Sequence, residues 1–286
     1  MSDSPKNPVH IKRKDISTDI TEVISHGGAS SPLEAIGMKW ISLPSEDGEL
    51  KLETGDCEVA CDILTGQATF TITSPLGNAT FPEAGRRAQI FAGRLAVVYI
   101  PPRSHITMSA DTANFQALWF EAPCDHGFPP SYIDPEEVAE RTVGEGNLTR
   151  EVYTALGPTN GAERLLLGET INLAGNWSSF PPHKHDQLSE PEVPMEEIYV
   201  YFFDPPGGFG IQRVYTDKGA KEPFDVAFPV QEGDAVAIPR GYHPVVAAAG
   251  YRLLYVWALV PKGESAANNR KLGAWTQDPA HRWVKV

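Results

Sequence analysis

The segment Gly175-Asn-Trp-Ser-Ser-Phe-Pro-Pro-His-Lys-His-Asp186 contains two histidines that are separated by one residue. In an extended strand, successive side chains point to opposite faces, so His183 and His185 would share a face if residues 180–186 are extended. Two imidazoles on one face can converge on a single ion. The segment therefore predicts half of a metal site.

Two further residues can complete this site. Glu197 follows in Met195-Glu-Glu-Ile-Tyr199, and His243 lies in Ile238-Pro-Arg-Gly-Tyr-His-Pro244. Three neutral imidazoles and one carboxylate leave a divalent ion with a net positive charge and, if it is six-coordinate, with open positions for a substrate. The simpler alternative is a pair of surface histidines on a polar loop, because a lone His-x-His is a weak motif.

The order of these residues resembles the two motifs of a cupin barrel, in which distant strands bring three histidines and one glutamate to one end of a small β-barrel. The second motif is represented by Gly233-x5-Pro239-x-Gly241-x-His243. The chain departs from the usual pattern in a longer spacing from histidine to glutamate and in a Gly241 that lies one residue nearer to His243. Residues 186–194 fill the longer spacing and predict a hairpin loop over the metal mouth.

A closer resemblance is to the 5-deoxy-glucuronate isomerase family of inositol catabolism. It runs from about residue 35 to the C-terminus and rests on residues 144–150, 166–171, 175–186, 196–199, 208–216, 239–244 and 278–283. Departures from the family pattern are Val200 and the longer polar segment 258–269.

This resemblance implies an aldose–ketose isomerase, an intramolecular oxidoreductase that converts 5-deoxy-D-glucuronate to 5-dehydro-2-deoxy-D-gluconate. It also implies an all-β bicupin: two tandem cupin (double-stranded β-helix, or jelly-roll) barrels with few short helices. Because alternate residues of a strand face the same side, Tyr199 and Tyr201 should lie on the metal-facing side with Glu197, and Glu196 should point away. The family pattern likewise favours Glu197 as the ligand, because its glutamate precedes an aliphatic residue and a tyrosine.

The expected cofactor is a divalent metal ion. Zn and Mn suit the ligand set, and Fe, Ni and Co are also compatible with it. A homo-oligomer is expected from the resemblance alone, because cupin barrels commonly pair through their sheets.

Turn-punctuated runs of strand-forming residues predict four parts: an N-terminal arm, residues 1–34; a first barrel, 35–125; a linker, 126–160; and a second, metal-binding barrel with its tail, 161–286. The arm is expected to be mobile, with a short strand or helix at residues 20–24 as the alternative. The first barrel lacks a His-x-His followed by Glu, so we expect no metal there and interpret His105 as a surface or core histidine. In the linker, Asp134-Pro-Glu-Glu-Val-Ala-Glu-Arg141 predicts a short helix with an Asp cap and Pro in its first turn.

Composition limits the classes of partner. A formal net charge of −13 argues against nucleic acid, which needs a basic surface. The N-terminus carries no apolar run typical of a secretory signal, and no stretch approaches the ~18 apolar residues of a membrane helix. The 3 cysteines lack a zinc-like spacing and are expected to be reduced thiols of a cytoplasmic protein.

An isomerase also needs a general base, and the motif does not identify it. Candidates are Tyr199, Tyr201, Tyr242 and the loop acids Glu190 and Glu192, each of which can equally have a packing or surface role.

The negatively charged substrate needs a cation. Arg213 is the preferred partner for its carboxylate, because a guanidinium offers a two-point match. Arg150 is an alternative with three interpretations: a substrate contact, a subunit contact or a plain surface residue. Lys184 lies between the two histidines and should point away from them.

Three alternatives to this function stay open. A sister family isomerises 5-keto-4-deoxyuronate, although its closer His-to-Glu spacing differs from that seen here. An iron-dependent cupin dioxygenase can use the same ligands, and oxygen uptake would distinguish it. A non-catalytic sugar-binding cupin would not need the complete ligand set.

Overall fold

The structure is a computed structural model that describes residues 6–13, 19–28, 30–263 and 270–284. The predicted all-β class is confirmed: these residues contain strands and short 3₁₀ turns at Gly146–Leu148 and Pro279–His281, with no α-helix. None of their segments forms a helix long and apolar enough to span a membrane.

The strands of the N-terminal half are β1 Val9–Ile11, β2 Asp19–Ile24, β3 Gly37–Leu43, β4 Glu49–Glu53, β5 Cys57–Thr65, β6 Ala68–Thr73, β7 Ala79–Ala84, β8 Ala96–Ile100, β9 His105–Ala110, β10 Phe115–Pro123 and β11 Ser131–Ile133. Those of the C-terminal half are β12 Ala139–Val143, β13 Arg150–Leu156, β14 Leu166–Asn172, β15 Trp177–Ser178, β16 His183–Lys184, β17 Met195–Asp204, β18 Gly210–Tyr215, β19 Asp225–Val230, β20 Ala235–Ile238, β21 Val245–Ala247, β22 Arg252–Pro261 and β23 Thr276–Gln277.

The first barrel is formed by two sheets. A six-stranded sheet has the order β11-β8-β5-β10-β3-β2, and a four-stranded sheet has the order β4-β9-β6-β7. Their inner faces enclose a core that includes Val59, Phe70, Met108, Phe115 and Trp119. Alternation along the strands supplies these side chains, because every second residue of a strand faces the same side.

The second barrel repeats this plan. A seven-stranded sheet, β1-β20-β17-β22-β14-β13-β12, packs against a four-stranded sheet, β15-β21-β18-β19. Strands β16 and β23 form a separate two-stranded ladder that pairs His183 with Gln277. This ladder ties the histidine segment to the C-terminal residues.

The two barrels pack through their larger sheets. One continuous apolar cluster contains Trp40 and Phe120 from the first barrel and Ile198, Phe202 and Val256 from the second. Central strands such as β17 and β22 are therefore buried on both faces, which explains their nearly uninterrupted apolar sequences.

A buried ion pair crosses this interface. The guanidinium of Arg87 donates to both carboxylate oxygens of Glu169 at 2.8 and 2.6 Å, and it lies 3.6 Å from Asp62. Burial and the charge of Glu169 raise the pKa of Asp62 well above its usual range, although Arg87 opposes this. The interface therefore contains one cation, Arg87, and two carboxyl groups. Glu169 forms the ion pair, and Asp62 favours the protonated form.

The prediction of a mobile N-terminal arm is wrong where its described residues pair, and the alternative of a short strand at residues 20–24 is confirmed. Strand β1 pairs with β20 of the second barrel, and β2 pairs with β3 of the first. The remaining arm residues, 1–5, 14–18 and 29, lie outside the described residues, as do residues 264–269 of the C-terminal polar segment.

The helix predicted at 134–141 is also wrong. The cap forms, since Asp134 accepts a hydrogen bond from the Glu136 N–H at 3.0 Å and Glu137 accepts one from the Asp134 N–H at 3.1 Å. The chain makes only one turn and continues as β12, which pairs with β13 along its whole length. Ladder formation with a neighbouring strand outweighs the local helix signal. The expected linker thus supplies edge strands to the barrels.

Candidate active site

Strand β17 supplies the central carboxylate of the site. Glu197 and Tyr199 line the cavity inside the second barrel, and Tyr201 belongs to the core of the same barrel. Glu196 points to the opposite face, where its carboxylate accepts hydrogen bonds from the backbone N–H groups of Glu34 and Ala35, both at 2.8 Å. The predicted alternation along this strand is therefore confirmed.

Three of the predicted ligands converge inside the barrel. The Nε2 atoms of His185 and His243 each lie 3.2 Å from Oε2 of Glu197. One donor atom from each residue lies within 4.8 Å of the other two, and all three residues are buried. Residues from separate segments thus meet at one point, as the motif predicted.

The donor set fits a metal ion. The Nδ1 atom of His185 donates to the backbone oxygen of Met195 at 3.1 Å, and that of His243 donates to Gly241 at 2.8 Å. With Nδ1 protonated, the Nε2 atom of a neutral imidazole carries a lone pair. Both lone pairs then face the Glu197 carboxylate, and Nε2 of His243 finds no hydrogen-bond partner in the described part of the chain. Such an arrangement requires positive charge between the three residues. In addition, metal-binding histidines usually donate their other ring N–H to a backbone carbonyl or a similar acceptor, as both histidines do here.

The pKa values of Glu197 and His185 also indicate that the site needs positive charge. Burial opposes ionisation of Glu197, but the neighbouring imidazoles of His185 and His243 lower its pKa to about 2. Burial opposes protonation of His185, but Glu197 raises its pKa. The carboxylate is therefore a fixed negative charge in a buried site.

His183 lies beside this group. Its ring centroid is 5.0 Å from that of His243, and the ring stacks on Trp275 at 4.5 Å. Burial, followed by the neighbouring histidines, lowers its pKa well below the usual range. Its nitrogens lie outside the 4.8 Å group, so its role as a fourth ligand stays a prediction.

A cavity of ≈ 100 Å³ opens next to the histidines. Its polar wall contains two hydroxyl pairs: Tyr199 with Ser179, 2.9 Å apart, and Tyr255 with Ser178, 2.5 Å apart. The remaining lining residues are Arg141, Arg150, Val152, Thr170, His183, His185, Glu197, Trp257, Leu259, Leu272 and Trp275.

Sequence reasoning did not assign several of these residues to the site. Ser178 and Ser179 belong to the histidine segment itself, so the motif carried a signal for them. Tyr255 and Trp257 lie on β22, and Trp275 lies on the C-terminal segment, which reaches the cavity through the pairing of β23 with β16. Only the tertiary fold brings these aromatic residues to the cavity.

Three of the four predicted catalytic residues lie outside the cavity. Tyr201 donates to the side chain of Gln212 at 2.9 Å, and Tyr242 donates to Asp217 at 3.1 Å. Arg213 donates to Asp225 at 2.8 and 2.6 Å and is 43% exposed. Arg213 therefore does not line the cavity, and Gln212, its neighbour on β18, is the buried residue. Tyr199 alone of the four lines the cavity.

The loop after the histidines is organised by ion pairs. Lys184 points away from the histidines, as predicted, and its Nζ lies 2.7 Å from Asp186 and 3.1 Å from Glu192. Glu192 also accepts hydrogen bonds from the backbone N–H groups of Asp186 and Gln187. Glu192 is therefore a structural residue of the loop, and Glu190 is exposed.

Comparison with known proteins gives a consistent result. The sequence profile of the KduI/IolB family matches residues 10–284. A 5-deoxy-glucuronate isomerase from Geobacillus thermodenitrificans strain NG80-2 is 33% identical over 262 residues, which cover 89% of this chain and 88% of the relative. A second 5-deoxy-glucuronate isomerase, from Halalkalibacterium halodurans, is 31% identical over 277 residues and 96% of each chain.

Solved structures agree with the fold. An IolB-like protein from Salmonella typhimurium LT2 superposes with a TM-score of 0.82 at 29% identity, over 96% of this chain and 98% of that protein. The oxalate decarboxylase of Lactobacillus farciminis superposes with a TM-score of 0.61 at 9% identity, over 91% of this chain and 88% of that protein, and shares the fold alone. The resemblance found in the sequence is confirmed, and the chain belongs to the KduI/IolB family.

Proposed function

We propose that this protein is a 5-deoxy-glucuronate isomerase of inositol catabolism, which converts 5-deoxy-D-glucuronate to 5-dehydro-2-deoxy-D-gluconate. The observation that carries the proposal is the convergence of His185, Glu197 and His243 at a cavity, in a chain that is 33% identical to a protein of that name over 89% of its length. The reaction moves one hydrogen between neighbouring carbons and another between their oxygens, so substrate and product are isomers.

The reaction requires that the carbon next to the aldehyde lose a proton. His185, Glu197 and His243 would hold a divalent ion, with His183 as the predicted fourth ligand. When bound, such an ion polarises a carbonyl oxygen and makes the neighbouring C–H bond more acidic. Zn and Mn are the proposed metals, with Fe, Ni and Co also compatible, and elemental analysis of the purified protein identifies which is bound.

The surrounding residues position the sugar. Tyr199 places its hydroxyl in the wall beside Glu197, and its hydrogen bond with Ser179 fixes the ring. In this position the hydroxyl can donate a hydrogen bond to a sugar oxygen as negative charge develops there. Trp257 and Trp275 supply apolar walls that limit the access of water.

A substrate comparison tests the proposed function. Purified protein is incubated separately with 5-deoxy-D-glucuronate and with 5-keto-4-deoxyuronate, and the products are identified by NMR. Conversion of the first compound with little conversion of the second supports the proposal. Preferential conversion of the second would assign the chain to the sister activity. Oxygen uptake in place of isomerisation would indicate a dioxygenase.

Two further expectations stay predictions. A homo-oligomer is proposed from the family resemblance, and sedimentation of the purified protein measures its state. A cytoplasmic location is proposed from the chemistry of an intracellular sugar catabolism, and cell fractionation tests it.

A further inference from the structure

Two arginines of the hairpin formed by β12 and β13 line the cavity that contains the histidines. Arg141 lies opposite Val152 in this pair of strands, and Val143 lies opposite Arg150. Arg141 and Arg150 are therefore diagonal neighbours across the hairpin. One small ligand could contact both guanidinium groups. Both belong to the wall of the same cavity as Glu197 and Tyr199.

Arg150 has no carboxylate partner among the residues that the structure describes. Its Nη1 atom donates to the backbone oxygen of Leu148 at 2.9 Å, and this leaves most of its donors free. The residue is partly buried, and this burial lowers its pKa. A guanidinium nevertheless keeps its charge, and an anion beside it would offset the cost of partly burying that charge.

The backbone around Arg150 is shaped to hold the guanidinium. Gly144 has a φ of +80°, and a Cβ atom there would lie 2.2 Å from the Leu148 oxygen and 2.9 Å from Nη1 of Arg150. Any residue with a side chain at this position would displace both the turn and the guanidinium. The chain thus places in the cavity wall a cation to which the described residues supply no counter-ion.

We propose that Arg150, with Arg141 beside it, binds the carboxylate of the sugar-acid substrate. This inference rests on the proposed function and replaces Arg213 as the carboxylate partner. A uronate carries its carboxylate and its aldehyde at opposite ends, and this cavity presents guanidinium groups and the histidine–glutamate group in one space. A guanidinium can hold a carboxylate through two parallel hydrogen bonds. These bonds would orient the sugar and increase its affinity.

Steady-state kinetics of four variants test this assignment. Arg150→Gln and Arg141→Gln remove a cavity charge, Arg150→Lys keeps the charge but loses the two-point match, and Arg213→Gln removes an exposed arginine of the same barrel. We expect Arg150→Gln to raise KM for 5-deoxy-D-glucuronate about 10- to 100-fold, with a smaller rise for Arg141→Gln. Arg150→Lys should fall between Arg150→Gln and the wild type, and Arg213→Gln should match the wild type.

A binding measurement separates this inference from the proposed function. Calorimetry compares D-glucuronate with uncharged D-glucose as probes for the wild type, Arg150→Gln and Arg150→Lys. A preference of the wild type for D-glucuronate that Arg150→Gln loses and Arg150→Lys partly keeps supports the carboxylate site, even if 5-deoxy-D-glucuronate is not isomerised. A wild type that isomerises 5-deoxy-D-glucuronate, with an unchanged KM in both Arg150 variants, would overturn the carboxylate site and leave the proposed function intact.

Discussion

Glu58 and Glu196 occupy equivalent positions in the two barrels. Each is the second residue of a strand in the middle of its larger sheet, β5 or β17. Glu58 accepts hydrogen bonds from the backbone N–H groups of residues 163–165, and Glu196 accepts them from residues 34–35, so each carboxylate anchors the segment that enters the other barrel. The residues that follow differ: Val59 faces the first core, whereas Glu197 faces the second.

This relationship separates the roles of two adjacent glutamates. We expect Glu197→Gln to weaken divalent-metal binding by at least about 10- to 100-fold, the cost typical of losing even an outer partner of a metal site. Glu196→Gln should leave metal affinity unchanged but lower the free energy of unfolding by about 1 kcal/mol, because charge-assisted hydrogen bonds become neutral ones. Metal titration and urea unfolding measure the two effects.

Comparison of the metal affinities of Glu197→Gln and Glu196→Gln tests which glutamate is the ligand. Weaker metal binding in Glu196→Gln together with normal binding in Glu197→Gln would reverse the assignment of the ligand. Equal effects of both variants on metal affinity would show that β17 does not separate the two roles.

Tyr199 and Tyr201 provide a second matched pair. Both were candidates from the sequence, but Tyr199 lines the cavity, whereas Tyr201 is bonded to Gln212 outside it. We expect Tyr199→Phe to lower kcat at least about 10-fold, because the sugar loses a hydrogen-bond donor. Tyr201→Phe should keep kcat within a factor of about 2 and show its effect in stability. Steady-state kinetics on 5-deoxy-D-glucuronate check both, and a normal kcat in Tyr199→Phe would remove Tyr199 from the catalytic machinery.

Local patterns in the sequence were sufficient for most strands of the two barrels and for the direction of the side chains on β17. Period two along β17 correctly separated Glu197 from Glu196, because a strand fixes the direction of each side chain. Alternation alone does not show which residues of β18 face inward, because this strand contains no residue whose orientation is known in advance. Arg213 was therefore assigned to the cavity, whereas its side chain is exposed and pairs with Asp225, and the neighbouring Gln212 is the buried residue.

Long-range pairing explains the other differences. The Asp134 cap signal is present, yet the following residues join β13, and that choice depends on a strand that the local pattern does not contain. Trp275 reaches His183 only because β23 pairs with β16 across a long sequence separation. A single sequence carries no signal for these contacts.

Removal of one partner from the buried ion pair between the barrels should be strongly destabilising. Arg87→Met leaves Glu169 as an uncompensated charge, and we expect the free energy of unfolding to fall by about 3–5 kcal/mol. The neighbouring Arg86 pairs with Asp134 at 2.7 Å but is 59% exposed, so Arg86→Met should cost at most about 1 kcal/mol. Urea denaturation compares the two variants, and similar losses for both would show that burial of Arg87 does not strengthen the pair.

Glu121 gives stability a defined dependence on pH. Burial opposes its ionisation, but His26 at 3.6 Å and hydrogen bonds from Lys39 and Trp119 lower its pKa to about 2. Because its pKa is lower in the folded state, its contribution is complete above the unfolded pKa near 4.5 and disappears as the pH falls through 2. We expect Glu121→Gln to lower the free energy of unfolding by roughly 2–3 kcal/mol at pH 7.

The pH series contains its own control. The deficit of Glu121→Gln should shrink steadily below pH 4.5, whereas Glu53→Gln, at a carboxylate that is 73% exposed, should match the wild type throughout. Unfolding curves recorded from pH 7 to pH 3 check this, and a constant deficit across the series would contradict a role for the ionised carboxylate.

Metal-dependent isomerisation is tested most directly by proton NMR of 5-deoxy-D-glucuronate in deuterated buffer with three samples of the protein: metal-replete, chelator-treated, and chelator-treated with metal restored. We expect loss of the aldehyde signal and appearance of the ketone product in the first and third samples and neither change in the second. An unchanged aldehyde in a sample that holds one equivalent of metal, or equal conversion after chelation, would contradict a metal-dependent isomerase.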